Sequence, residues 1–260
     1  MIIEKTLNLD SKAINLLAKK YNPLDYHIQL VSLLKNALPS YNFDNYSKYE
    51  LHKFLNDIIY NNYHGEEKYK YMLFQSESKK NDIVAAFEMN VNKSRVDFLT
   101  INGYTTSYEI KSELDNLSKV SKQLKDYMLA FEYNYLVLDI AHVEKAKEYI
   151  PDGIGIISYS KGKYKQIEKS IYNEKINPEI QLNLLTKKEL QTNFYETSGE
   201  INTILEYYDT DAINTIFKCT LKERYKKRWD FIKKNKANIL PIDLQFFFNT
   251  NIQPNYIYYH

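Results

Sequence analysis

The segment Arg95–Ser112 constrains the fold and the chemistry of this 260-residue chain more than any other. Its sequence, RVDFLTINGYTTSYEIKS, predicts a β-hairpin with Asp97 on the first strand and Glu109 and Lys111 on the second. Side chains two positions apart on a strand share a face, so Glu109 and Lys111 point the same way while Ile110 points into a core. Two carboxylates and a lysine on one face would form a cation site beside a fixed positive charge, a common arrangement for cutting a phosphodiester.

The hairpin has two plausible registers, and the first uses a two-residue turn at Asn102-Gly103. That turn would pair Asp97 with Tyr108 and Val96 with Glu109. Each face of the hairpin would then mix acidic and apolar side chains, which a half-buried sheet disfavours.

The second register uses a three-residue loop, Ile101-Asn102-Gly103, with Gly103 in the left-handed conformation. It would pair Thr100 with Tyr104 and Asp97 with Ser107. One face would become apolar and the other would gather the charged side chains, so the sequence favours this loop. The apolar face would carry Val96, Phe98, Tyr108 and Ile110. The second face, which we expect to be solvated around the lysine, would carry Asp97, Leu99, Glu109 and Lys111.

Composition sets looser limits on function. Charged residues make up 26% of the chain and the formal net charge is +2, so a nucleic-acid partner is neither required nor excluded. The single cysteine, Cys219, rules out an internal disulfide and a cysteine-based zinc cluster. Neither a signal peptide nor a run of about 20 apolar residues is visible, so we expect a cytoplasmic protein without membrane contact.

The pattern of apolar residues predicts three segments along the chain. A helical segment over residues 1–62 comes first, a mixed core over 63–172 follows, and a second helical segment spans 173–260. The core reads β-β-β-α-β-α-β, which predicts an α/β fold with a mixed central sheet and flanking helices. Its strands are expected at Ile83–Val91, in the hairpin, at Tyr135–Ile140 and at Ile154–Tyr159.

Gln123 and Tyr127 lie four residues apart on the helix predicted after the hairpin, so they are neighbours on one helical face. Tyr127 falls within an apolar stripe, and Gln123 stands at its edge. On spacing alone the pair would be a packing tyrosine and a solvated glutamine. The alternative is that this edge faces the hairpin and touches a nucleotide.

These residues together resemble the PD-(D/E)XK nuclease superfamily, over roughly Gly65–Tyr159. The strand Asp, the E-x-K on the next strand and the Q-x-x-x-Y on the following helix are similar to its RecB-like branch. Val96 stands where the superfamily often has proline, which is not a ligand. The resemblance is strongest to an uncharacterised bacterial group whose signature matches Ser94, Arg95, Asp97, Ile101, Asn102, Gly103, Tyr108, Glu109, Ile110, Lys111 and Ser112.

The resemblance implies a metal-dependent nuclease, with Mg²⁺ or Mn²⁺ as cofactor and DNA as the expected partner. Asp97 and Glu109 would hold the metal, Lys111 would assist catalysis, and Gln123 and Tyr127 would support the site or touch the nucleic acid. The superfamily usually adds a glutamate from the first core helix. Three residues compete for that place: Glu66, which fits best by position, Glu67 and Glu88.

The segment Lys222–Lys236 alternates basic and aromatic residues, among them Tyr225, Trp229 and Phe231. Such a segment can contact phosphates and stack bases, or it can be the solvated face of an amphipathic helix, which is commoner. Besides the nuclease, two further functions stay open. One is a binding or regulatory protein that uses the same fold without cutting, and the other is an interaction protein whose helical flanks are the functional surface.

Overall fold

The computed structural model describes residues 9–112, 115–160 and 163–260. The described chain forms two compact units. One contains the residues up to Tyr71 together with Phe231–His260, and the other is Met72–Asp230. The three predicted segments divide the chain by sequence order, whereas these two units group residues that are packed together in space. The three-segment division therefore stays a prediction.

The first unit is helical, and its core is a cluster of leucine, isoleucine and phenylalanine side chains that includes Leu17, Leu34 and Leu55. Capping side chains fix where its helices begin: Asp10 accepts from the Ala13 N–H. Its helices are α1 (Ser11–Lys20), α2 (His27–Ala37), α3 (Lys48–Asn62), the first part of α4 (Glu66–Glu77), the end of α10 (Thr210–Lys234), α11 (Leu244–Thr250) and α12 (Pro254–Tyr259).

The second unit is built on a six-stranded mixed sheet in the order β1-β2-β3-β4-β5-β6, which confirms the predicted fold class. β3, β4 and β5 run parallel to one another, and the other neighbours are antiparallel. The strands are β1 (Val84–Val91), β2 (Ser94–Asn102), β3 (Tyr104–Lys111), β4 (Tyr133–Asp139), β5 (Gly155–Ser160) and β6 (Lys163–Glu168). The remaining helices are α5 (Val120–Met128), α6 (Val143–Ala146), α7 (Pro178–Asn183), α8 (Lys187–Asn193) and α9 (Ile201–Tyr207).

Two local predictions meet different outcomes. The sequence Thr186-Lys187-Lys188-Glu189 fits a capping box, and this box is present. The Thr186 N–H donates to Glu189 at 2.7 Å, and the Glu189 N–H donates back to the Thr186 hydroxyl at 3.3 Å. The second helix of the predicted β-β-β-α-β-α-β order is expected over His142–Ile150, before Pro151, but only Val143–Ala146 is α-helical. β6 was not predicted, since its sequence KYKQIE is mostly polar.

The hairpin register differs from both predicted ones. Thr100 pairs with Thr106, so the predicted pairing of Thr100 with Tyr104 is wrong, and Leu99 occupies the place opposite Ser107 that was assigned to Asp97. The reason is that Gly103, with φ of +73°, is the apex of the turn. Ile101 therefore stays in the ladder and remains buried.

The predicted sorting of the two faces survives this correction. The predicted loop has three residues and the observed turn has one, so the register changes by an even number of residues. Each side chain of the hairpin therefore stays on the face that was predicted for it. Val96, Phe98 and Ile110 are fully buried on one face, and Asp97 shares the other face with Glu109. The positive φ predicted for Gly103 is confirmed.

Candidate metal and catalytic site

Asp97 and Glu109 lie on one face of the β2–β3 hairpin. They adjoin the last pair of the ladder, Phe98 and Tyr108, and the alternation of strand side chains puts both on the face that Lys111 shares. Oδ2 of Asp97 accepts the Ile110 backbone N–H at 2.6 Å, so a side chain takes the place of a ladder bond.

The three predicted site residues are buried rather than solvated. Asp97 is 6% exposed, Glu109 0% and Lys111 8%. The expectation of a solvated face around Lys111 is therefore wrong. A buried carboxylate requires compensating donors, because removing its charge from water is costly.

Glu109 has such donors on both of its oxygens. Oε1 lies 2.5 Å from Nζ of Lys111, and Oε2 accepts from the Tyr127 hydroxyl at 2.5 Å. Protein donors thus occupy the coordinating oxygens of Glu109 in this state. A metal ion bound to Glu109 would compete with one of them.

Tyr127 and Gln123 place helix α5 at the site. The Tyr127 oxygen also lies 2.7 Å from the Arg95 carbonyl oxygen, and its ring is fully buried. Burial, followed by the charge of Glu109, holds the pKa of Tyr127 well above its usual range, while a hydrogen bond from Gln123 lowers it. Tyr127 is therefore a protonated donor toward Glu109, and the structure brings Gln123 into contact with it.

Glu88 on β1 adds a third acidic group to the candidate site, after Asp97 and Glu109. The flanking pairs Phe87–Phe98 and Met89–Val96 put it opposite Asp97. Its φ is +57°, a left-handed conformation that is uncommon for a residue with a side chain and that concentrates at functional positions. Carboxylate oxygens of Glu88 and Asp97 lie within 4.8 Å of each other, and Glu88 forms an ion pair with Arg95.

The donor set fits a hard divalent cation. Mg²⁺ takes oxygen ligands at about 2.0–2.1 Å, so two ligand oxygens on one ion lie at most about 4.2 Å apart. Glu88 and Asp97 meet that spacing with little or no adjustment. Glu109 supplies a further carboxylate on the face that carries Asp97.

Glu66 and Glu67, the other candidates for the additional acid, lie at the start of α4 in the helical unit. The Glu66 carboxylate lies 3.3 Å from Nζ of Lys70, and Glu67 is exposed. Their part in a metal site stays a prediction.

Sequence reasoning missed a contact that holds α5 against β2. The Ser94 hydroxyl on β2 donates to Asp126 on α5 at 2.5 Å. Within α5, the ammonium of Lys122 lies 3.0 Å from the same carboxylate oxygen. Ser94 and Arg95 belong to the quoted signature, so the signature marks these positions without revealing what they do. The partner Asp126 lies only three residues after Gln123 and carries no motif of its own.

The basic segment Lys222–Lys236 lies largely on α10. Trp229 is fully buried against Phe74 and Phe98, so stacking of a base on Trp229 is ruled out by its packing. Arg224 already forms an ion pair with Glu189, and its Nε donates to Oε1 at 2.8 Å.

In the part of the chain that the structure describes, no helix has the length and apolar character needed to cross a lipid bilayer.

Comparisons with known proteins identify one family. The family described as Bacteriophage P4 protein cII matches residues 60–247. A curated relative, Protein cII of Enterobacteria phage P4, is 27% identical over 101 residues, which cover 37% of this chain and 38% of the relative. The chain thus matches well under half the length of that relative.

One solved structure is similar to part of the chain. It is the SPO1766 protein of unknown function from Silicibacter pomeroyi, with 16% identity and a TM-score of 0.33. The alignment covers 44% of this chain and 77% of that protein. A score this low carries no argument about fold or function.

Proposed function

The chain belongs to the Bacteriophage P4 protein cII family, and we propose that it is a metal-dependent nuclease that hydrolyses phosphodiester bonds, with DNA as its substrate. The observation that carries the proposal is the convergence of three groups on one sheet face. Asp97 and Glu109 share that face, and Lys111 touches Glu109. The resemblance to PD-(D/E)XK nucleases rests on the same residues.

The acidic residues would hold Mg²⁺ or Mn²⁺. Asp97 and Glu88 have suitably spaced oxygens. Glu109 would become a ligand when its hydrogen bond with Lys111 or Tyr127 breaks and frees one of its oxygens. Glu66 stays a further candidate ligand. When bound, the ion would supply polarisation of the scissile phosphate and a more acidic water.

Lys111 would provide the positive charge next to the reacting phosphate. An ammonium group in a buried site is worth more than one in water, because the local dielectric is lower. It would orient the attacking water or stabilise the negative charge that develops on the phosphate. Tyr127 would position Glu109, and Gln123 would position Tyr127, so these two act through the carboxylate.

A cleavage assay on the full chain tests the proposal. Supercoiled DNA, linear single- and double-stranded DNA, and RNA would each be incubated with Mg²⁺, with Mn²⁺ and with EDTA. We expect metal-dependent cleavage of DNA that Asp97→Asn and Glu109→Gln abolish. Cleavage that persists in both variants would assign the activity to another site or to a contaminant.

One observation favours the alternative, a nucleic-acid-binding or regulatory protein that does not cut. Both Glu109 oxygens are occupied by protein donors, as expected for a site that has become structural. An inert wild-type chain that binds labelled DNA with unchanged affinity in EDTA would support this alternative over the nuclease.

A further inference from the structure

The helical unit contains a cavity of about 300 Å³, at the lower end of the range for ligand pockets. Its wall has an apolar part, formed among others by Ile59, Ile242 and Phe246, and a polar part that includes Tyr21 and Asp243. Such a combination of apolar wall and few polar groups is typical of sites for small organic molecules.

Asp243 gives the cavity wall an unusual property. It is only 1% exposed, and its Oδ2 accepts from three neutral donors. These are the Tyr258 hydroxyl at 2.7 Å, the Tyr21 hydroxyl at 3.0 Å and the Asn56 amide at 3.1 Å. Its Oδ1 is buried and, within the described part of the chain, has no hydrogen-bond partner.

The described residues that line the cavity also supply no counter-ion for Asp243. Among the residues that the structure describes, the cavity lining contains no lysine, arginine or histidine, and Glu67 adds a second carboxylate to it. The Lys70 ammonium touches the lining residue Gln245 at 3.0 Å but is shared with Glu66 at 3.3 Å. A buried carboxylate oxygen without a donor is costly, so a donor that carries positive charge would be favoured there.

We propose that this cavity binds a small primary alkylammonium ion, whose N–H groups donate to Asp243 and whose alkyl chain packs on Ile59, Ile242 and Phe246. The aromatic rings of Tyr21 and Phe246 add faces that attract a cation. This site lies wholly within the helical unit, and its proposal is independent of the proposed nuclease activity.

Calorimetric titration of the full chain with n-butylammonium tests the proposal. Butan-1-ol is the neutral counterpart, butyrate the anionic one, and tetramethylammonium a cation without N–H donors. We expect binding of n-butylammonium at least about tenfold tighter than that of the other three, as a charge-assisted hydrogen bond predicts. Equal binding of butan-1-ol, or of tetramethylammonium, would overturn the proposal, as would no binding at millimolar concentration.

Three variants place the ligand in the cavity. Asp243→Asn should weaken n-butylammonium binding about tenfold or more, since it removes the charge at nearly constant shape. Ala18→Phe should abolish binding by filling the cavity from α1 while leaving Asp243 in place, and it decides the question if Asp243→Asn does not fold. Asp44→Asn, an exposed acid of the same unit, should bind like the wild type. Unchanged binding in Ala18→Phe would show that the ion sits elsewhere.

Discussion

Nζ of Lys111 lies 2.5 Å from Oε1 of Glu109, and both side chains are buried in the same face of the sheet. The lysine is therefore the partner of a carboxylate that water does not reach, as well as the proposed catalytic cation. Its removal should affect folding and chemistry together, and the two effects have to be measured separately.

We expect Lys111→Ala to lower the free energy of unfolding by about 3 kcal/mol, because it leaves the Glu109 charge buried with one partner fewer. Cleavage measured below the melting temperature should fall by two orders of magnitude or more, since such a group is worth roughly 3–4 kcal/mol in the transition state. Lys111→Arg should recover little, because the guanidinium is planar and larger. Lys122→Ala, which removes an exposed partner of Asp126, is the matched control and should change both quantities little. A Lys111→Ala variant as stable and as active as the wild type would contradict the assignment.

Mg²⁺ or Mn²⁺ should raise the melting temperature of the wild type, because a ligand that binds only the folded state stabilises it by mass action. Asp97→Asn should remove most of that rise, and Glu88→Gln should remove a large part. Glu144→Gln, at a highly exposed position, should leave it unchanged. Differential scanning fluorimetry with and without metal gives the comparison. A full rise in Asp97→Asn would place the metal at another site.

Tyr127→Phe should reduce the free energy of unfolding by about 1.5–3 kcal/mol, the range for a hydrogen bond to a charged group. The variant loses the hydroxyl that donates to Glu109, while the ring still fills its place against β2. Urea unfolding measures the change, and Tyr149→Phe, at a more exposed tyrosine, serves as the control. A loss equal to that of the control would mean that the hydroxyl contributes nothing to Glu109.

His52 and Asp243 should give the helical unit opposite pH dependences. Burial, together with the charge of Lys48, lowers the pKa of His52 to about 4, and burial raises the pKa of Asp243 to about 6 in spite of three hydrogen bonds. Between pH 4 and about 6.5 the unfolded chain binds more protons at His52, so that term makes stability rise with pH. Between about pH 4 and 6 the folded chain binds more protons at Asp243, so that term makes stability fall with pH.

The two terms nearly cancel in the wild type, and single variants separate them. In Asp243→Asn only the His52 term remains, and stability should rise by about 2–3 kcal/mol from pH 4 to 6.5 relative to the wild type. His52→Gln should show the reverse trend. Thermal unfolding across this pH range measures both. Parallel curves for all three proteins would show that neither group titrates abnormally.

Gly103→Ala should cost about 1 kcal/mol of stability. The cause is the backbone, because φ is +73° and an added Cβ would meet no atom within 4 Å. Gly103→Asn should cost less, since asparagine tolerates this conformation better. Equal losses in both variants would point to a contact of the new side chain instead.

The sequence predicted the fold class and the face that carries Asp97, Glu109 and Lys111, since strand alternation depends only on whether the loop is odd or even. It did not predict the exact register, because Asn102-Gly103 is compatible with several turns, and the burial of Ile101 decides among them. It also did not reveal that the site is buried, because that depends on α5, whose Tyr127 and Gln123 could equally have been ordinary surface and packing residues.

From the sequence, Glu88 was one of three candidates for the additional metal ligand, together with Glu66 and Glu67, and nothing in the sequence favoured it. Its importance comes from a left-handed backbone conformation, and the sequence FEMNV carries no glycine or turn residue at that position to indicate it. The polar strand β6 was missed because its pairing with β5, rather than its own pattern, makes it a strand.

The same left-handed Glu88 also bears on self-association. β1 is an outermost strand of the sheet and one of its most apolar, and an open apolar edge invites pairing with another chain. All its residues except Glu88 and Asn90 are buried, so only this short stretch of the edge could meet another strand. A residue with φ of +57° in its middle breaks the regular spacing of the outward N–H and C=O groups that a foreign strand would need. The left-handed conformation of Glu88 would therefore also protect this stretch of the protein from edge-to-edge aggregation.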